Sequence, residues 1–500
     1  MIRFMADTEK YPRTDCSTII VGKNATTTGR VLVGHNEDDP GCMVQSHLVP
    51  RMQHAEGETV RFADGTAVID QVPETCAYYW SEFRSLNGEA FADAFINEYG
   101  VSVVSNGCVD SKHPEGVTGG MGYALRRLIA ERAHSAREGV LRTGALLEQY
   151  GTYEANGMAF ADANEVWWLE TIGGHHWMAR KVPDEAYVVM PNQLGIDKFD
   201  LEKALRDQEK YRCPCEEYAD LEYMCSADLK EFISKNHLDL SLDGVLNPRD
   251  AFGSHDDSDH VYNTPRAWYI LRNLNPKTKI WDGVNAEFTP YSDDLPWCMI
   301  PEKKITVEDV KYVLSSHYQG TSYDPYASYG EKEQRGAFRS IGVNRTDFLS
   351  LIQMRPGMEK DCNILEWVAF ASNAFNVLAP FYTDIDTTPG YLFGTTGKVS
   401  TENFYWMSRM IAAMADASYN KSVFHIERYQ ESIAAKSHEL LNRYDTLLEQ
   451  ETDEETRKKI QEEANEKIAG MLQCEAADTL DKVLYELSGQ MKNAYARSDA

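Results

Sequence analysis

The order of elements in this chain predicts an α+β protein in which β-sheets are sandwiched by helices. Three observations carry that expectation. The first hundred or so residues are rich in short β-branched runs, two helix-patterned segments are followed at once by four short strands, and the pattern beyond Thr401 is helical throughout. An apolar fraction of 43%, with 9 Trp, 27 Tyr and 18 Phe among 500 residues, supplies enough material for a sizeable core.

Taken in order, fifteen mostly polar residues end at Asp15, and Cys16 then opens the run Thr18-Ile19-Ile20-Val21, which reads as a strand. A second strand, Gly29 to Gly34, leads into His35-Asn36-Glu37-Asp38-Asp39. Asn97 to Gly100 has the composition of a hairpin turn, and residues 101–105 form a strand ending at Asn106. Gly122 to Ala136 spaces Leu125, Leu128, Ile129 and Arg132 along one helical face, and a second helix spans Val140 to Tyr150. Strands follow at Gly157–Ala161, Val166–Ile172, His176–Val182 and Tyr187–Met190, the last running into Pro191-Asn192-Gln193. Thr306 to Asp309 reads as a cap for a helix over Val310–Ser316, and a second β-rich block covers about 336–382. In the helical tail, Thr452-x-x-Glu455 has the form of a capping box, and Glu454/Lys458 and Glu455/Lys459 are i,i+4 pairs. The tail suits a surface-packed hairpin or an oligomerisation arm, so homo-oligomer formation stays open.

Composition excludes several classes. A net charge of −28 argues against nucleic acid and against an anionic membrane surface. No window approaches the roughly 20 apolar residues of a membrane span, and residues 1–15 lack the apolar centre of a secretory signal. The ten cysteines include no Cys-x-x-Cys pair and read as reduced thiols of a cytoplasmic protein. His255-Asp256-Asp257-Ser258-Asp259-His260 resembles a metal cluster, but no His-Glu-x-x-His helix accompanies it, so neither metal nor cofactor is expected.

The chemistry centres on Cys16. If residues 1–15 are removed, one residue holds both a thiol and an α-amine, whose unperturbed pKa of about 7.7–8.0 lets it act as a base near neutral pH. Acyl transfer by that thiol also needs an oxyanion hole. Asn106 and Asn192 sit just past strand ends, where a side-chain amide is rigidly held, and Arg266 lies in Asn263-Thr264-Pro265-Arg266.

The ordered set Cys16, Gly34-x-Asn36-x-Asp38, Asn97-Glu98-x-Gly100, Asn106, Asn192 and Arg266 resembles the bile-salt hydrolase and penicillin V acylase branch of the N-terminal nucleophile (Ntn) hydrolases. Within that branch, Cys16 to Lys23, Asn263 to Arg266, Ile341 to Thr346 and Trp367 to Tyr382 resemble the dipeptidase A cysteine peptidases, and the similarity runs from Cys16 to about 420. The resemblance implies a four-layer αββα core over 16–400, an autocatalytically removed leader over 1–15, a helical extension over 401–500, and hydrolysis of dipeptides. It makes Cys16 the nucleophile and gives Asp38 the placing of its α-amine. Asn106 and Asn192 would form the oxyanion hole or hold the amine, and Arg266 would support the nucleophile's electrostatics. His35 stands where acylase relatives carry arginine, and Ser17 replaces a usual threonine. For a zwitterionic dipeptide, Glu37 and Asp39 are expected to receive the α-ammonium and His35 to help with the α-carboxylate. The competing readings are an amidohydrolase acting on non-peptide amides and a non-catalytic binding protein on the same fold.

Overall fold

The structure is a computed structural model that describes residues 16–38, 43–61, 67–84, 90–91, 94–107, 121, 124–152, 155–211, 220–242, 244–355 and 364–492. Its strands fall mainly into two large antiparallel sheets. In chain order these are β1 (Ser17–Val21), β2 (Leu32–Glu37), β3 (Met43–Val49), β4 (Tyr78–Arg84), β5 (Ala94–Asn97), β6 (Ser102–Gly107), β7 (Asn156–Ala161), β8 (Val166–Thr171), β9 (Trp177–Lys181), β10 (Tyr187–Met190), β11 (Tyr223–Cys225), β12 (Cys298–Met299), β13 (Phe348–Met354), β14 (Ile364–Phe370) and β15 (Ala379–Tyr382). The first sheet has the order β12-β10-β1-β2-β13-β14-β15, and the second β11-β9-β8-β7-β6-β5-β4-β3.

Successive residues of a strand face opposite sides, and here that alternation builds the layers. Ile20, Val33 and Val188 from the first sheet meet Val104, Ala159, Trp168 and Met178 from the second. One residue along, Ile19, Val21, Leu32 and Leu349 face outward onto the helices α3 (Thr264–Leu274) and α4 (Val307–Leu314). On the far side, Val103, Phe160, Trp167 and Leu169 pack against α1 (Ala124–Ala130) and α2 (Ala136–Tyr150) through Leu128, Ile129, Val140 and Leu147. The result is a four-layer αββα sandwich. Gly34 lets α4 approach β2 closely, since a Cβ there would lie 2.7 Å from Val310 Cγ1.

Beyond the sandwich come α5 (Phe404–Ala417), α6 (Tyr419–Leu448) and α7 (Glu454–Ser488). They pack on their own chain: Phe404, Ile411, Tyr429, Ile433, Ile468 and Leu472 join the core between the sheets. Asn465 of α7 also closes the edge strand β15, accepting from Tyr382 N at 2.9 Å and donating to Tyr382 O at 3.0 Å. Pairing an edge strand with a side-chain amide removes a template for sheet-to-sheet association. The cap of α7 differs from the sequence reading. Asp453, not Thr452, is the N-cap and accepts from Thr456 N at 2.9 Å. The Thr306–Asp309 capping box is present, with its helix beginning at Val307. β2 runs three residues past Gly34, and the strands expected from about 336 begin only at Phe348. Among the described residues no helix is long and apolar enough to cross a membrane.

Candidate active site at the head of the first strand

Strand alternation sets Cys16, just before β1, with Thr18 of β1, His35 and Glu37 of β2, and Asn106 of β6 in the layer between the sheets, at one end of the sandwich. Thr18 and His35 are cross-strand partners. All five side chains are buried. The Cys16 thiol donates to Glu37 Oε2 at 3.5 Å, and the same oxygen lies 3.6 Å from His35 Nε2. His35 Nδ1 is 2.9 Å from Thr18 Oγ1, which donates to Asn106 Oδ1 at 2.5 Å. Asn106 Nδ2 donates to the carbonyls of Met190 at 2.8 Å and Pro191 at 3.3 Å.

These contacts assign a tautomer. The two carbonyls turn the Asn106 NH2 toward β10 and its Oδ1 toward Thr18. The single Thr18 hydroxyl proton then goes to Oδ1, so Thr18 Oγ1 can only accept from His35, and Nδ1 carries the proton. His35 Nε2 is thereby aimed at Glu37.

A second group reaches Cys16 from the outer face. Pro265 starts α3 in its first turn, and Arg266 follows it, 1% exposed. Its Nη1 donates to Cys16 O and, at 2.7 Å, to Ser17 Oγ. Its Nη2 donates to Asn192 Oδ1 at 2.8 Å and to Asn263 Oδ1 at 2.6 Å, and its Nε donates to Tyr262 O. Burial, and then Arg339, push the guanidinium pKa well below its usual value, with Asp38 opposing them. Asn192 donates through Nδ2 to Gly107 O at 2.6 Å, and its backbone N–H donates to Asn263 Oδ1 at 3.2 Å. Glu170 of β8 steadies the segment after Asn192, accepting from Gly195 N at 2.6 Å, Ile196 N at 3.1 Å and Trp168 Nε1 at 3.0 Å. Burial nonetheless pushes the Glu170 carboxyl up to about 7.

Asp38, just past β2, is fully buried. Its carboxylate is bound by Arg339 Nη2 and, at 2.5 Å, by Thr346 Oγ1, and its carbonyl accepts from Arg345 Nε at 2.9 Å. Asp39 lies outside the described residues, as do residues 1–15. The fold therefore gathers Cys16, His35, Glu37, Asp38, Asn106, Asn192 and Arg266 around the head of β1. Glu37 and His35, read from sequence as contacts for the substrate's termini, face Cys16 and each other. Asn36 points the other way, donating to Leu314 O at 2.7 Å and accepting from Asn373 at 2.9 Å.

Sequence reading missed Thr18, Asn263, Arg339 and Thr346. Thr18 was within reach, because it shares a strand face with Cys16. Arg339 was not, since it meets Asp38 across 301 residues and nothing local marks it. In the His255/His260 cluster both imidazoles face Asp293, with ring nitrogens 3.6 Å and 2.8 Å from its carboxylate. His175 faces the carbonyls of Leu147 and Glu148, while His176 faces Asp228.

The chain matches the model of Peptidase family C69 over residues 15–432. It belongs to that family. Relatives of this C69 chain include a dipeptidase of Bifidobacterium longum, 41% identical over 97% of this chain and 99% of that one. A probable dipeptidase A of Streptococcus pyogenes serotype M18 is 40% identical over 98% and 100%. Dipeptidase A of Lactobacillus helveticus is 33% identical over 96% of each. Among solved structures the C69 chain is similar to penicillin V acylase from Agrobacterium tumefaciens at 13% identity, covering 73% of this chain and 86% of that one. The TM-score of 0.32 is too low to bear on activity.

Proposed function

We propose that this C69 peptidase is a cysteine dipeptidase that exposes its own nucleophile. The Cys16 thiol attacks the carbonyl of Asp15, and water hydrolyses the resulting thioester, releasing residues 1–15 and freeing the α-amine of Cys16. In turnover, that amine takes the thiol proton while sulfur adds to the peptide carbonyl. The tetrahedral intermediate collapses to a thioester, the amine of the C-terminal amino acid leaves with a proton, and water then releases the N-terminal amino acid. Asn192, with a second Nδ2 hydrogen to give, donates to the oxyanion. Asn106 positions Thr18 and His35, because its own amide hydrogens are committed to Met190 and Pro191. Arg266 holds the Cys16 carbonyl and so the head of the strand. Asp38, anchored by Arg339 and Thr346, orients the freed amine. The substrates are dipeptides and the compartment is the reducing cytoplasm, a reading supported, among the described residues, by Cys76, Cys298 and Cys474, which form no disulfide.

The observation that carries this reading is the convergence on Cys16, thiol on Glu37 and carbonyl on Arg266, in a chain whose family match begins at Asp15. Intact mass and N-terminal sequencing test the processing, and dipeptide hydrolysis by Cys16→Ala tests the thiol. An active enzyme that keeps Asp15 joined to Cys16, or wild-type turnover by Cys16→Ala, would overturn the mechanism. Faster turnover of N-acyl amides than of dipeptides would overturn the substrate class.

A further inference from the structure

We propose that Cys16, His35 and Glu37 form a binding site for one thiophilic divalent cation, best matched by Zn2+, and that the bound ion silences the enzyme. The three side chains offer a thiol sulfur, an imidazole nitrogen and a carboxylate oxygen, and their ligand atoms all lie within 4.8 Å of one another. Zinc takes these donor types at about 2.3 Å for sulfur and about 2.0–2.2 Å for nitrogen and oxygen. At tetrahedral angles those lengths separate sulfur from oxygen by roughly 3.5 Å and nitrogen from oxygen by roughly 3.4 Å. The distances here are 3.5 Å from Cys16 Sγ to Glu37 Oε2 and 3.6 Å from His35 Nε2 to the same oxygen. Two edges of the ligand triangle thus already match a zinc site, and the third, from sulfur to nitrogen, lies within 4.8 Å.

An outer shell is already built. A metal-binding imidazole needs its other nitrogen protonated and tied down, and Thr18, itself fixed by Asn106, does this for His35 Nδ1. Nε2 then faces the carboxylate of Glu37 at 3.6 Å, so an ion between them meets a nitrogen and an oxygen ligand at once. The charges also balance: a thiolate, a carboxylate and a neutral imidazole carry two negative charges, which a dication cancels in a site exposed by 3% or less at each residue. Binding sends the thiol proton to solvent and leaves a fourth position for water or for the freed α-amine of Cys16. Inhibition rests on the reading of Cys16 as nucleophile, because the ion occupies the sulfur lone pair that attacks substrate. The ion site itself does not rest on it.

The test uses the purified full chain, stripped of metal with a chelator and then desalted. Iodoacetamide alkylation of Cys16 is followed by mass spectrometry of its peptide, with ZnCl2 alone as the probe. Zn2+ should slow alkylation of Cys16 at least tenfold and chelator should restore it. Glu37→Gln and His35→Gln should each weaken that protection at least tenfold, while His255→Ala should leave it unchanged. Should the His35 or Glu37 variant fail to fold, Co2+ decides on the native chain. A thiolate-to-cobalt charge-transfer band that is lost in Cys16→Ser supports the site, and no Cys16-dependent band overturns it. Unprotected Cys16, or protection equal in Glu37→Gln, also overturns it. If Zn2+ protects Cys16 yet dipeptide turnover persists undiminished, the site stands and Cys16 is not the nucleophile.

Discussion

Replacing Thr18 by valine tests the hydrogen-bonded chain that orients His35. Valine keeps the shape and the β-branching of threonine, so β1 and its packing between the sheets should survive. What disappears is the hydroxyl that donates to Asn106 Oδ1 at 2.5 Å and accepts from His35 Nδ1 at 2.9 Å. Thr18, His35 and Asn106 are each 0% exposed, so water does not replace it. Taking a partner from a buried polar group costs roughly 1–3 kcal/mol, and two such groups are affected, so folding stability should fall by roughly 2–6 kcal/mol. That is a large share of the roughly 5–15 kcal/mol typical of a folded protein, so circular dichroism must show the variant folded before its kinetics are read. The imidazole also loses the contact that selects its tautomer, and kcat/KM for a dipeptide should drop at least tenfold. Thr18→Ser, which keeps the hydroxyl and gives up one methyl, should lose only about 1 kcal/mol and most of its activity should remain. The assays are denaturant unfolding at matched m-value and steady-state kinetics. A valine variant within about 0.5 kcal/mol of wild type with unchanged kcat/KM would refute the chain, because surface-like substitutions give differences of that size. Equal damage from serine and valine would shift the cause to packing.

Glu366 joins the two sheets, accepting from Ser81 Oγ at 2.9 Å and Ser350 Oγ at 2.5 Å, and burial pushes its carboxyl up from 4.5 to about 7. A folded-state value above the unfolded one favours the protonated form, so this group's stability is intact below about pH 4.5 and is lost as pH rises through 7. Glu366→Gln, which keeps an acceptor for both serines, should therefore match wild type near pH 4.5 and exceed it by roughly 3 kcal/mol at pH 8; a glutamine variant less stable than wild type at pH 8 would contradict this. Acetylating the α-amine of a good dipeptide should lower kcat/KM by the equivalent of about 2–4 kcal/mol, since the carboxylate that receives the ammonium loses its partner. Equal kcat/KM for the dipeptide, its N-acetyl form and the matching tetrapeptide would show that neither terminus is read. Asn465→Ala should cost about 2 kcal/mol or more in unfolding, because it strips both hydrogen bonds from Tyr382 in the edge strand β15; a value near zero would mean that another group closes the edge.

How much of this was legible in the chain depends on the range of each interaction. Period-two alternation and the turn signals are local, so the strands around Thr18–Val21, Val166 and Tyr187 could be read before any fold was known. The same alternation implied that Thr18 shares a face with Cys16 and that Asn36 and Glu37 face opposite ways. The acidic charge, the ordered Cys16, Asp38, Asn106, Asn192 and Arg266, and the helical tail were likewise visible as pattern. The destinations were not. Arg266 alone reads as a surface ion pair, and only the docking of α3 on the first sheet buries it against the carbonyl of Cys16. Glu37 reads as a substrate contact, and only the β1–β2 pairing brings its carboxylate to the thiol. Arg339 reads as nothing in particular until a turn region more than three hundred residues away closes on Asp38. Periodicity and caps act within a few residues and are written locally. The electrostatics of a buried site depend on which distant side chains share its low-dielectric interior, and packing the layers together decides that.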